Sequence, residues 1–245
     1  MDMNLFIYES NEQLNAAAAN LMAAELQRNP KAVLGLATGS TPIGMYEKLV
    51  EMHRAGLVSF REATTYNLDE YVGLPRDHEE SYYTFMNRHL FRHVDLPEGS
   101  THLPLGNAEN PADECLRYDA SIEQANGIDL QILGIGHNGH VGFNEPGDEL
   151  HSGTHIVQLA EETRKANARF FASLDEVPSE AITVGMGVIL KARTILLLAR
   201  GADKAEILKR ALRGPITTQV PASLLQLHPN LIVMADSEAG RLLQA

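Results

Sequence analysis

Short apolar runs alternate with longer helix-forming segments along the whole chain. Six runs have the length and the branched residues of buried strands: 4–8, 32–37, 64–68, 128–136, 194–200 and 230–236. The helix-forming segments between them are 12–28, 42–56, 81–91, 111–126, 161–171 and 202–212. Pro42 is a favourable residue at a helix start, and Gly56 is a favourable residue just after a helix end. This alternation predicts a mostly parallel sheet with helices on both faces.

No linker, low-complexity tract or repeat interrupts the alternation. The 245 residues are therefore predicted to form one domain, 1–245, of α/β class with a Rossmann-like three-layer α/β/α architecture. Ligands of such sheets bind beyond the carboxyl ends of the strands. Three polar segments, 38–42, 69–75 and 137–147, directly follow apolar runs. We therefore expect these segments to gather at one edge of the sheet.

Composition narrows the function classes. The formal net charge of −12 argues against a nucleic-acid partner, because the average surface would repel a phosphate backbone. Cys115 is the only cysteine, which excludes an internal disulfide and any multi-cysteine metal site. No apolar run reaches the length of about 20 residues that a membrane span needs, and the N-terminal run is too short for a signal peptide. We expect a cytoplasmic protein with a small-molecule partner and no membrane contact.

The segment "ATGSTP" follows the second apolar run and has the pattern of a phosphate cradle. Gly39 lets the backbone approach a ligand, Thr38, Ser40 and Thr41 add hydroxyl donors, and a helix beginning at Pro42 would present free N–H groups to an anion. The Gly-Lys-Ser/Thr ending of a Walker A loop is missing. A plain strand-to-helix turn with a Ser or Thr cap is the alternative.

The segment "YNLDEYVGL" places an acidic pair at the end of an apolar strand, where solubility does not explain it. Asp69 is a candidate general base whose pKa could be tuned by partial burial. Glu70 would face the other way if the strand pleat continued through it. A helix cap or a buried ion pair is the alternative for Asp69.

The segment "GIGHNGHVGFNEPG" contains the spacing of a dinucleotide fingerprint, but Pro146 and Gly147 break the helix that such a site needs. His137, His140 and Glu145 could ligate a metal, although they lack the helical His-Glu-x-x-His arrangement. The remaining hypothesis is a glycine-bent loop that carries His140 and Glu145 into the same cleft as Asp69. A histidine oriented by a carboxylate can shuttle protons near neutral pH.

Positive charge for an anionic substrate must come from the second half of the chain. The candidates are Arg164, Lys165, Arg169 and Lys204. Each alone is typical of a solvated surface charge. Lys204 is the most suggestive, because it lies where a strand leads into a helix.

Together the motifs resemble the glucosamine-6-phosphate deaminase family. They are "LGLATGSTP", "YNLDEYVGL", "SYYTFM", "GIGHNGHVGFNEPG", "TRKANARFF", "AITVGMG" and "LLQLHPN". The resemblance implies an enzyme of amino-sugar catabolism without cofactor or metal, which converts D-glucosamine 6-phosphate and water to D-fructose 6-phosphate and ammonia. It implies that His140 opens the sugar ring with help from Glu145 and Asn138, and that Asp69 moves the C2 proton to C1. It assigns the 6-phosphate to Thr38, Gly39, Ser40, Thr41, Arg169 and Lys204, and a small mobile lid to 159–179.

Two departures from the family pattern carry expectations. Asn138 stands where many members have Asp, so it can orient His140 but cannot hold charge. The segment "GDELHSGTHIV" has His155 and Val157 where members activated by N-acetylglucosamine 6-phosphate carry basic residues. We therefore expect a monomer or low-order homo-oligomer without that allosteric site. The alternative functions are a 6-phosphogluconolactonase-like hydrolase and a catalytically inactive sugar-phosphate-binding regulator.

Overall fold

A computed structural model describes residues 4–243 apart from 160, 162, 163, 165–167, 169, 170, 172, 174 and 175. Its strands are β1 (Asn4–Tyr8), β2 (Val33–Leu36), β3 (Thr64–Asn67), β4 (Asp69–Tyr71), β5 (Thr101–His102), β6 (Leu130–Leu133), β7 (His155–Gln158), β8 (Glu180–Thr183), β9 (Thr194–Ala199) and β10 (Leu231–Asp236). The six predicted strands are confirmed as β1, β2, β3, β6, β9 and β10. The four short strands β4, β5, β7 and β8 were not predicted.

The helices are α1 (Asn11–Arg28), α2 (Ile43–Arg54), α3 (Tyr82–His89), α4 (Pro111–Gln124), α5 (Met186–Ile189), α6 (Ala205–Arg213) and α7 (Ser237–Gly240). Pro42 precedes α2 at the cap position instead of starting it, and a 3₁₀ turn, Ala202–Lys204, leads into α6. The predicted helix at 161–171 falls largely outside the described residues. No helix in the described part of the chain is both long and apolar enough to span a bilayer.

The main sheet has seven strands in the order β1-β10-β9-β6-β2-β3-β5, and all its neighbouring pairs are parallel. One face packs against α1, α2 and α3 through side chains such as Leu14, Met45 and Met86. The other face packs against α4 and α6 through Tyr118 and Leu208. The predicted three-layer α/β/α fold with a mostly parallel sheet is confirmed.

The order of the strands creates a crevice between β2 and β6. From β2 the chain moves outward to β3 and β5, whereas β6 pairs with the opposite side of β2 and is followed outward by β9 and β10. The connections after β2 and β6 therefore leave in opposite directions. Such a switch point is where open α/β sheets bind their ligands.

A second, three-stranded antiparallel sheet lies at the end of β3. Its order is β4-β8-β7, with Asp69 opposite Thr183 and Thr183 opposite His155. Only Leu68 separates β3 from β4, and its carbonyl accepts a hydrogen bond from the Val184 N–H. The polypeptide thus passes from the large sheet to the small sheet at the position of the predicted base.

Candidate active site

A cavity of about 620 Å³ opens at the crevice between β2 and β6. Its walls include residues 37–41 after β2, Leu68 and Asp69 at the junction of the two sheets, parts of the loop after β6, and Lys204 before α6. The expected gathering of the three polar segments is confirmed for 38–41, for Asp69 and for part of 137–147. Residues 70–75 turn away from the cavity.

One end of the cavity is suited to an anion. Thr38, Gly39, Ser40 and Thr41 line it, and the φ of +86° at Gly39 belongs to a region that side chains disfavour. Helix α2 starts beside them with no side-chain cap and no acidic residue in its first turn. Helices α1, α3, α4 and α7 have side-chain caps, whereas α5 and α6, like α2, have none. The α2 N–H groups are therefore available to a bound anion.

Lys204 lines the same cavity and is partly buried. Burial lowers its pKa, against the opposing effect of the neighbouring Asp203. An anion in the cavity would restore the stability of the charged ammonium group. Arg169, the other predicted phosphate cation, lies outside the described residues, as does Lys165.

Asp69 projects into the cavity from β4 and is 6% exposed. Burial, with a further contribution from the negative charge of Glu70, raises the pKa of Asp69 to about 8. Within the described part of the chain, neither a helix cap nor an ion pair involves Asp69. Its carboxylate is thus a partly desolvated base that can accept a proton from a ligand.

The other predicted proton-transfer groups lie on the loop after β6. His140 Nδ1 lies 3.2 Å from Glu145 Oε1. Asn138 donates through Nδ2 to Glu145 Oε2 at 2.5 Å and accepts through Oδ1 from the His140 N–H at 3.1 Å. A Cβ at Gly136 would overlap the His140 ring, so the tight bend requires glycine there. The structure therefore brings together the three loop residues that the sequence singled out.

The small sheet connects this loop with Asp69. Thr183, which is opposite Asp69, accepts a hydrogen bond from the Phe143 N–H at 3.1 Å through its Oγ1. Asn144 donates through Nδ2 to the Val184 carbonyl at 2.9 Å and is 2% exposed. The end of β8 therefore fixes the position of the loop relative to Asp69.

Several side chains at the site were not singled out in the sequence. Tyr82 and Phe143 line the cavity, with their rings nearly parallel and 6.2 Å apart. The sequence signals for Tyr82 are its place after Ser81, the cap of α3, and its membership of the motif "SYYTFM", and neither signal shows where the ring points. His137, considered above as a metal ligand, has its Nε2 2.6 Å from Asp203 Oδ2 and so links the loop to the residue before Lys204. Among the described residues, no three His, Cys, Asp or Glu side chains are arranged to hold a metal.

Two described residues of the predicted lid, 159–179, pack beside the aromatic side chains next to the cavity: Leu159 and Phe171 belong to one apolar cluster with Tyr71 and Phe143. The Leu159 N–H donates to the Ser179 carbonyl at 2.8 Å, and this hydrogen bond joins the two ends of the segment. The Phe171 ring packs edge-on against Tyr71 at 5.8 Å. Arg164 donates to the Val177 carbonyl at 3.1 Å within the segment.

Comparison with known proteins places the chain among sugar-phosphate enzymes. A family model described as glucosamine-6-phosphate isomerases/6-phosphogluconolactonase matches residues 9–233. A glucosamine-6-phosphate deaminase from Clostridium perfringens is 50% identical over 242 residues, which cover 99% of this chain and 100% of the relative.

Solved structures agree with this comparison. A monomeric glucosamine-6-phosphate deaminase matches with a TM-score of 0.95 and 44% identity, over 98% of this chain and 100% of that chain. A 6-phosphogluconolactonase from Trypanosoma cruzi matches with a TM-score of 0.81 and 20% identity, over 100% of this chain and 98% of that chain. At that identity the second match shows a shared fold alone.

Proposed function

Since the chain belongs to the family of glucosamine-6-phosphate isomerases and 6-phosphogluconolactonases, we propose that it converts D-glucosamine 6-phosphate and water to D-fructose 6-phosphate and ammonia. The observation that carries this function is that Asp69 and His140, which is paired with Glu145, line one cavity that also has an end suited to an anion. A base and a separate proton shuttle are what ring opening followed by isomerisation requires.

The 6-phosphate binds at the α2 end of the cavity. Hydroxyl groups of Thr38, Ser40 and Thr41, backbone N–H groups around Gly39, and the Lys204 ammonium group surround it. Arg169 is predicted to add a second cation when substrate is bound. Phosphate binding at this end directs the sugar carbons toward Asp69 and the loop after β6.

Ring opening is assigned to His140. The imidazole takes the proton of the anomeric hydroxyl and returns a proton to the ring oxygen as the C1–O5 bond breaks, leaving an aldehyde at C1. Glu145 orients the ring and stabilises its protonated form. Asn138 holds both partners without adding charge.

Isomerisation and deamination are assigned to Asp69. Its carboxylate removes the C2 proton, which gives an enediol-type intermediate, and then delivers that proton to C1. A proton also passes from the amino nitrogen to the C1 oxygen, so C1 becomes a primary alcohol and an imine is left at C2. Water adds to this imine, the C–N bond breaks, and ammonia leaves the C2 carbonyl of the ketose. Every step uses groups of this chain, the substrate and water, and we propose that no cofactor or metal takes part.

One assay tests the function and separates it from its rivals. The purified chain is incubated with D-glucosamine 6-phosphate, and ammonia and D-fructose 6-phosphate are measured, with excess chelator in a parallel sample. We expect both products in equal amounts and no loss of rate with chelator. Hydrolysis of 6-phosphogluconolactone without ammonia release would favour the lactonase, and tight substrate binding without turnover would favour the regulator.

We also propose a low oligomeric order and no activation by N-acetylglucosamine 6-phosphate. The solved relative at 44% identity is described as monomeric. Burial lowers the pKa of His155, which keeps its imidazole neutral where an allosteric phosphate would need a cation. Light scattering should report a small assembly. A rise in substrate affinity on adding N-acetylglucosamine 6-phosphate would contradict the second part.

A further inference from the structure

Glu70 is a buried carboxylate to which the steps above give no role. It is 3% exposed, and it follows Asp69 directly on β4 with its side chain on the opposite face of the strand, as the pleat predicted. Burying a carboxylate is costly unless hydrogen bonds compensate for the lost water. Its place beside the assigned base therefore calls for a physical reason.

The hydrogen bonds of Glu70 connect β4 to the start of α3. One carboxylate oxygen accepts from the N–H groups of Tyr71 at 2.9 Å and Tyr82 at 3.0 Å, and the other accepts from the Tyr83 N–H at 3.1 Å. The Ser81 hydroxyl accepts from the Thr84 N–H at 3.0 Å. Glu70 and Ser81 thus satisfy the first three N–H groups of α3, where the helix dipole also favours a negative charge.

The position of α3 decides where the Tyr82 ring stands in the cavity. That ring lies 4.8 Å from the Tyr71 ring and 6.2 Å from the Phe143 ring, and it lines the cavity together with Asp69. A shift of the first turn of α3 away from β4 would move this wall relative to the base. Shifts on the order of 1 Å at such walls reduce turnover substantially.

We propose that Glu70 is a positioning residue for proton transfer by Asp69. Its ionised carboxylate fixes the first turn of α3, and with it the Tyr82 wall, to the strand that carries the base, and its negative charge increases the affinity of Asp69 for the C2 proton. This inference rests on the proposed role of Asp69.

The electrostatics agree with this geometry. Burial raises the pKa of Glu70 to about 7, while its backbone hydrogen bonds and Arg76 oppose the rise. The three backbone N–H groups that donate to Glu70 favour its ionised form, and its negative charge in turn raises the pKa of Asp69. Among the described residues, the other titratable groups that face this pair or its cavity include Arg76, Tyr82, Tyr83, Tyr118, His137, His140 and Lys204.

The test compares the pH dependence of kcat/KM in Glu70→Gln and Glu114→Gln. Glu114 is a control for the loss of a buried carboxylate: it is 4% exposed, accepts a backbone hydrogen bond from Leu105 at 2.8 Å and pairs with Arg117, yet it lies on α4 and does not line the cavity. We expect Glu70→Gln to move the acid limb of the profile down by about one pH unit and to lower kcat about tenfold, since removing a like charge weakens the base. Glu114→Gln should leave the acid limb unchanged.

An unchanged acid limb in a folded Glu70→Gln enzyme would overturn the proposal. If that variant does not fold, Glu70→Asp serves instead. Its side chain keeps the negative charge but is one methylene shorter, so the carboxylate lies farther from the N–H groups of α3. The proposal then expects a wild-type acid limb with kcat reduced several-fold. A wild-type kcat in Glu70→Asp would overturn the positioning role.

Failure of the inference differs from failure of the function beneath it. If the unmodified chain releases no ammonia from glucosamine 6-phosphate, the proposed function fails. If Asp69→Asn turns over like the unmodified chain, the role of the base fails. If both hold and only the Glu70 variants behave like the unmodified chain, the inference about Glu70 alone is wrong.

Discussion

The two sheets of this molecule contribute to the site in different ways. The connections that follow the strands of the seven-stranded parallel sheet create the crevice. The proposed anion-binding end of the cavity consists largely of backbone N–H groups and hydroxyls around Gly39. The three-stranded antiparallel sheet holds the buried carboxylates of Asp69 and Glu70 and, through Thr183, the loop with the proton shuttle.

This difference indicates that substrate binding and proton transfer depend on different regions of the molecule. An anion site built on helix N–H groups and a lysine attracts any phosphorylated sugar of suitable size, so it defines little about the reaction. The small sheet fixes the position and the electrostatic environment of the proposed base, Asp69, relative to the loop with the proposed proton shuttle, His140, and in the proposed mechanism these two groups determine which bond is broken. Variants in the small sheet should therefore lower kcat with little change in KM, and variants at the anion-binding end should raise KM with little change in kcat.

The largest expected effect is the loss of the base. Asp69→Asn keeps the shape of the side chain but removes its ability to accept a proton, so we expect kcat to fall by about 10²–10⁴-fold with KM changed little. Steady-state assays of ammonia release measure both constants. Turnover close to that of the unmodified chain would show that the small sheet does not carry the chemistry.

Disruption of the anion-binding end should give the complementary result. Lys204→Ala removes a partly buried cation from the cavity, so we expect KM for glucosamine 6-phosphate to rise about 10- to 100-fold, as loss of a charge-assisted contact implies. Lys209→Ala, at an exposed position of α6, is the matched control and should leave KM unchanged. An effect mainly on kcat would contradict the division between the two regions.

The same contrast explains which features could be predicted from the sequence. The six long strands have apolar runs that identify them locally; Asp69 directly follows one such run, and His140 lies four residues after the end of another. β4 has three residues, and its partner β8 begins more than 100 residues later, so no local pattern encodes their pairing. The role of Glu70 depends on how α3 packs against β4, and the hydrophobic pattern of neither element contains that information.

A smaller effect is expected where the small sheet meets the loop. Thr183→Val is nearly isosteric but leaves the buried Phe143 N–H without its acceptor, which costs about 1–3 kcal/mol of stability. We expect kcat to fall several-fold with KM unchanged, because the loop loses one of its ties to the strand opposite Asp69.

Thr65→Val is the control for that substitution. Thr65 is also fully buried, but its hydroxyl has no hydrogen-bond partner among the described residues. Removing an unpaired hydroxyl should leave stability equal or slightly higher and kcat unchanged. If the two variants lose activity equally, the Thr183 hydroxyl is not a specific tie.

The remaining expected effect is on the pH dependence of stability and not on turnover. Burial raises the pKa of Asp69 from 3.8 to about 8, so at intermediate pH the folded state binds a proton that the unfolded state releases. The stabilisation from this proton is complete below about pH 4 and is lost as the pH rises toward 8. Asn at position 69 does not titrate, so the thermal midpoint of the unmodified chain should fall relative to that of Asp69→Asn between about pH 4 and about pH 8. Parallel midpoint curves would mean that the small sheet does not hold Asp69 in the desolvated environment on which its basicity depends.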